Sequence, residues 1–137
     1  MKVFIEEVSV RSEKPVDILD ITEEISSVVR RSGVRSGVAV VFTKHTTAAV
    51  AINENESRLK QDVLSVLQKL VPKGAGYKHD EIDDNAHAHI QAMLLGASES
   101  IPINDGRLQL GTWQRVFFVE LDGPRPRRLL VQVMGEE

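Results

Sequence analysis

Cysteine is absent from this chain of 137 residues, which removes disulfide staples, thiolate metal sites and cysteine nucleophiles at one stroke. Any soft metal ligand must therefore be histidine, of which there are four. No apolar run approaches the roughly 20 residues needed to span a bilayer. The stretch Met1 to Glu7 carries charge where a secretory leader would need a continuous apolar segment. The expectation is a cytoplasmic protein with no membrane association. A formal net charge of −3 gives no overall pull toward nucleic acid or anionic lipid, and leaves only a local basic cluster as a candidate phosphate holder. Familiar motifs are missing too. Gly74-x-Gly76 lacks the third glycine and the preceding strand of a dinucleotide fingerprint, and no Walker lysine follows it. No serine has the Gly-x-Ser-x-Gly setting of a triad hydrolase.

What is present suits one domain over residues 1–137, long enough to bury about two-thirds of its unfolded surface without a staple. A metal would then be functional rather than structural. Lys2 to Val10 alternates Val3, Ile5, Val8 and Val10 with charged or polar residues, with one irregularity, and predicts a half-buried strand. Asp20 with Glu23 forms a capping-box pattern. Ile21, Ile25, Val28 and Val29 then recur at helical spacing up to Gly33. Gly37 to Thr43 and the run ending at Ile52 read as strands joined near His45. Leu59, Val63, Val66, Leu67 and Leu70 form an apolar helical stripe that stops at Pro72. After a glycine-bearing loop from Pro72 to Asp80, Asp83 or Asp84 is placed to cap a third helix. Its apolar face would be Ala86, Ile90, Met93 and Leu94, closed by Gly96. The remaining runs, Ile101–Ile103, Arg107–Leu110, Arg115–Leu121 and Leu129–Met134, are separated by Asp105-Gly106 and Asp122-Gly123 turns, and predict an antiparallel meander. The fold class that follows is α+β, with a largely antiparallel sheet or sandwich and about three helices.

The histidines are His45, His79, His87 and His89. Three neutral imidazoles leave one position open on zinc or a similar ion, the arrangement used to activate water or polarise an oxygen. No His-x-x-x-His or His-Glu-x-x-His pair is present, so convergence would depend on the fold. His87 and His89 lie about 200 degrees apart around a helix axis. They cannot both face one point, and periodicity does not choose between them. Glu54 is a candidate base or imidazole-orienting carboxylate, or else, with Glu56, an acid at a helix N-terminus. Thr46, Thr47 and Asn53 are polar in a segment of Ala, Val and Ile, and need partners if buried. Arg125-Pro126-Arg127-Arg128 can hold phosphate through paired guanidinium hydrogen bonds, or be a solvated basic turn. Trp113, alone in a strand-rich segment, reads as core or interface packing.

The segment Ser100 to Gln114, ending Gly111-Thr112-Trp113-Gln114, resembles the signature of the YjbQ family. Thr43 to Thr47, Ile52-Asn53-Glu54, His79-Asp80, Ala88-His89 and Asp122-Gly123-Pro124-Arg125 extend the likeness over nearly the whole chain. The resemblance implies a compact α+β fold assembled as a homotrimer, with His45, His79 and His89 as ligands of a divalent ion and His87 as a bystander. Zinc is the assignment, although three imidazoles also suit copper, nickel and iron. The resemblance further implies a secondary thiamine-phosphate synthase-like transfer between small phosphorylated molecules. Arg125 and Glu54 are then the catalytic candidates, with Thr47, Asn53, Arg125, Arg127 and Arg128 contacting substrate. The alternatives are a metal-dependent hydrolase or lyase of a phosphorylated metabolite, and a catalytically silent trimeric metabolite-binding module.

Overall fold

The computed structural model describes residues 1–137. Its elements are β1 (Lys2–Arg11), β2 (Asp17–Asp20), α1 (Thr22–Ser32), β3 (Ser36–Thr43), β4 (Ala48–Glu54), α2 (Ser57–Leu70), a short 3₁₀ turn (Lys78–Glu81), α3 (Ala86–Leu95), β5 (Ser98–Asn104), β6 (Arg107–Leu108), β7 (Gln114–Glu120) and β8 (Pro126–Glu136). The strands form a five-stranded sheet in the order β1-β8-β3-β5-β6 and a three-stranded sheet in the order β2-β7-β4. Every pairing is antiparallel. The expected α+β class with three helices is the one observed.

Side-chain alternation explains the layering. On β7, Val116 and Phe118 point between the sheets into a core shared with Val8, Val10, Val41, Val131 and α1, while Phe117 and Val119 point to a second core under α3. A strand buried on both faces reads as the unbroken apolar run Val116 to Val119. β4 does the same with smaller residues: Val50 faces the first core, and Ala49 makes room for Ala88 and Ala92 of α3. The result is a sandwich closed by α1, with α3 packed outside the smaller sheet. Close approach of β3 and β8 needs glycine on both sides. A Cβ on Gly37 would lie 1.9 Å from the Met134 carbonyl oxygen, and one on Gly135 would lie 2.0 Å from that of Ser36.

Several expectations change. β1 is a regular strand with Phe4, Val8 and Val10 turned inward and Val3 and Ile5 exposed, so the supposed irregularity was an apolar pair on the outer face. The terminal strands form no meander. Asp105 and Gly106, both at positive φ, do make the tight hairpin between β5 and β6. β7 and β8, however, belong to different sheets. On α3 the inward residues are Ala86, His87, Ala88, Gln91 and Ala92, while Met93 and Leu94 face out. The cause is the neighbour beneath: an alanine-rich sheet face accepts small side chains at close range and leaves the large ones outside. Neither Asp83 nor Asp84 caps this helix; the Asp80 carboxylate accepts from the Ala86 N–H at 3.2 Å. Likewise Asp20 holds the start of α1 through the Thr22 N–H and hydroxyl.

Candidate anion-binding site

Three connections cross from one sheet to the other at one end of the sandwich: residues 12–16 between β1 and β2, 44–47 between β3 and β4, and 121–125 between β7 and β8. Backbone bonds tie them together, with Leu121 N–H donating to Thr47 O, Ser12 N–H to Arg125 O, and Gly123 N–H to Pro15 O. Beneath them lies a buried ion pair. Glu120 is 0% and Arg127 4% exposed. Arg127 Nε donates to Glu120 Oε1 at 2.9 Å, and its Nη2 donates to Glu120 Oε2 and to Thr47 Oγ1. Ser12 Oγ donates to Glu120 Oε1 at 2.6 Å and accepts from the Arg125 N–H at 3.0 Å. Burial works against the Glu120 charge. The hydrogen bonds from Arg127, Ser12 and the Asp122 N–H outweigh it, so the carboxyl is held below its ordinary pKa. Ser12, Thr47 and the Asp122–Arg125 segment come from the three crossovers and the ion pair from the ends of β7 and β8, and for that reason spacing in the sequence does not reveal the network.

The surface over this knot is basic. A groove of about 580 Å³ is lined by Arg11, Lys44, His45, Arg128 and one face of Arg127, with Glu7 as its acid. Arg128 makes only a 3.5 Å exposed ion pair with Glu7. His45 Nε2 accepts the Arg128 backbone N–H at 3.1 Å, which in the neutral ring leaves the hydrogen on Nδ1. Burial, followed by the charges of Arg127 and Arg125 and opposed by Glu120, lowers the His45 pKa and favours that neutral ring. His45 is thus an oriented donor among cations.

His89 shares a shallow depression with His45, and its ring meets that of His79 edge to face, with centroids 4.9 Å apart. His79 Nε2 in turn pairs with Asn85 Oδ1 at 3.0 Å. The expected divalent ion and three-histidine cluster have to be corrected. No group of three or more His, Cys, Asp or Glu side chains is arranged to hold a metal ion. A physical reason is visible at His45, whose Nε2 lone pair is taken by the Arg128 N–H and whose Nδ1 carries the hydrogen. His87, the supposed bystander, is the buried histidine at 7% exposure, and its Nδ1 has no partner in the chain.

The other candidates divide. Thr47 and Arg127 belong to the buried knot, so both are structural supports of the groove with little to offer a ligand directly. Arg125 and Arg128 stay exposed, and of the two Arg128 lines the groove. Glu54 and Asn53 lie at the far end of β4 beside Leu59 and Val63. At ~3.3 Å per residue, roughly 20 Å of strand separates Glu54 from Ala48, so Glu54 does not reach the histidines. It is Glu56 that receives the first N–H groups of α2. Trp113 is 71% exposed and packs in no core of this chain. Lys44, Arg11, Ser12 and Glu120 escaped notice in the sequence; Lys44, adjacent to His45, carried the one signal that was there to be read.

A family model described as UPF0047 protein YjbQ-like matches residues 6–136. The chain belongs to the YjbQ family. A UPF0047 protein of Methanothermobacter thermautotrophicus is 48% identical over 99% of this chain and 95% of its own length. YugU of Bacillus subtilis, another UPF0047 protein, is 35% identical over 92% of this chain and 96% of its own. Among solved structures, a YbjQ-like protein of unknown function from Sulfolobus solfataricus P2 superposes with a TM-score of 0.96 at 40% identity, covering 98% of this chain and 99% of that one. The structure contains no helix long and apolar enough to cross a membrane.

Proposed function

We propose that this member of the YjbQ family binds a small phosphorylated molecule in the basic groove over the crossover knot. The observation that carries this reading is the disposition of charge. Arg11, Lys44 and Arg128 line an open groove against a single acid, Glu7, and His45, with its Nε2 bonded to the Arg128 N–H, lines it with them. Charge-assisted bonds to phosphate oxygens contribute about 1.5–3 kcal/mol each, so two or three rim cations suffice for specific binding of a diphosphate. Arg127 supports the rim from below as a fixed charge. Calorimetric titration of the chain with inorganic pyrophosphate is expected to show saturable one-site binding that weakens with salt. Lys44→Ala and Arg128→Ala should each weaken it about tenfold or more. Binding unchanged in both variants overturns the reading.

The finer, transferase reading is that the groove stabilises a departing diphosphate while a thiazole phosphate nitrogen attacks the pyrimidine methylene carbon, as the family resemblance implies. Its support is that preorganised cations act where charge develops. Coupled product formed from the two phosphorylated substrates by protein free of contaminating synthase is expected. Release of phosphate by water alone would instead mark a hydrolase.

We also propose self-association as a homotrimer, held by the exposed apolar stripe Val63, Val66 and Leu70 on α2 and by Met93 and Leu94 on α3. Light scattering is expected to give three times the chain mass, reduced by Val66→Asp; a monomer at working concentration sinks this assignment.

A further inference from the structure

The hydrogen bonds behind His79 fix which of its nitrogens is free. An ionised carboxylate only accepts, so Asp122 selects the amide end of Asn85 that faces it: Asn85 Nδ2 donates to Asp122 Oδ2 at 2.9 Å. The other end, Oδ1, is then turned to His79 Nε2 at 3.0 Å. A carbonyl oxygen is satisfied there only by a ring nitrogen that carries hydrogen. The neutral His79 ring therefore keeps its hydrogen on Nε2 and its lone pair on Nδ1. Asn85 is buried, and Asp122 is held from its other side by Arg125 Nη2 at 3.2 Å. The arrangement has little freedom to invert.

We propose that Asn85 and Asp122 are positioning residues that present His79 Nδ1, beside His89, as a proton acceptor for a hydroxyl-bearing ligand or a water molecule. In that step an O–H bond breaks with its electron pair left on oxygen, and the proton goes to Nδ1. Nε2 keeps its hydrogen on Asn85. A group that orients an imidazole from behind in this way selects its tautomer. His45 and His79 then have opposite hands: His45 gives a hydrogen from Nδ1, and His79 receives one there. This inference goes beyond the anion-binding reading and stands independently of it.

The decisive measurement is a long-range proton–nitrogen correlation spectrum of the full ¹⁵N-labelled chain at a pH above imidazole titration, with His79 assigned by its loss in His79→Gln. A protonated Nε2 and an unprotonated Nδ1 are expected. An Nδ1–H pattern, or two nitrogens averaged between tautomers, overturns the proposal. Asn85→Ala should produce that averaging. The exchanged pair Asn85→Asp with Asp122→Asn, which again faces an acceptor toward Nε2, should restore the original pattern. If Asn85→Ala folds and leaves the His79 pattern unchanged, the positioning role is lost. Should it fail to fold, the spectrum of the unaltered chain decides alone. Reactivity gives a second readout: limited alkylation by iodoacetamide is expected to modify His79 at Nδ1, and modification at Nε2 counts against the proposal.

Discussion

Two helices carry the same kind of apolar stripe and meet opposite surroundings. On α1, Ile25 and Val28 are 0% exposed, sealed between the two sheets. On α2 only Leu67 is buried, while Val66 and Leu70 stand 52% and 69% exposed. Periodicity establishes which residues share a face; it does not establish what lies opposite that face. For α1 the opposing surface is built from six strands of the same chain. For α2 the chain supplies less: Leu64 reaches the smaller core, and Gln91 of α3 donates to the carbonyls of Leu67 and Val71, closing the end of the helix. The interior half of the molecule is complete in itself, whereas the flank bearing α2, α3 and the histidine loop is only partly so.

The largest test of that contrast is at the knot where the interior ends. Arg127→Ala leaves Glu120 buried and unpaired, and is expected to cost about 3–5 kcal/mol. Arg128→Ala, one residue along the same strand but exposed, should fall within about 0.5 kcal/mol. Denaturant unfolding of the two variants measures the difference, and equal costs would mean that the knot contributes nothing special. Next comes the comparison of the helices themselves. Ile25→Ala should lose about 2–5 kcal/mol, against at most a few tenths for Val66→Ala measured on the dissociated chain. A large loss at Val66 under those conditions would show that the flank is better packed than its exposure implies. Gln91→Leu tests what the flank does possess. It removes the donor shared by two C-terminal carbonyls of α2, and about 1–3 kcal/mol is expected, read as earlier hydrogen exchange along α2 than along α1.

The same contrast explains what the sequence made legible. Strands and helices with a local signature were readable: the β5–β6 hairpin from Asp105-Gly106, α1 up to Gly33, α2 up to Pro72. Assignment of strands to sheets was not. Adjacency in the chain suggested that β7 and β8 pair, but each is apolar enough to occupy an interior position of a different sheet, and turn chemistry cannot tell a hairpin from a crossover. The site suffered in the same way. His45 and the arginines were visible as residue types, while Ser12, Thr47 and the Asn85–Asp122 pair act through partners 37 to 113 positions away. His87 and His89 were interchangeable until the alanine-rich face beneath α3 turned His87 inward. The expected metal centre took the residue types for an arrangement.

The smallest effect is a pH dependence with one contribution from the flank, at His87, and one from the knot, at His45. Burial, with some help from Lys73 and against Asp122, Asp80 and Asp84, lowers the pKa of His87. His45 is lowered by burial and by Arg127 and Arg125. A base whose folded pKa is depressed binds more protons when unfolded, so stability rises with pH across the interval between the two values. Both contributions are fully present above the ordinary imidazole value of about 6.5, and are lost as the pH falls toward and through the lowered values. His87→Gln removes one of the two titrations and keeps a polar side chain in the pocket. Thermal melts across the acid range are expected to show a shallower loss of stability for His87→Gln than for the parent, with the two curves parallel above neutrality. If the slopes coincide, the proton is not taken up at His87, and the acid loss of stability belongs to other groups.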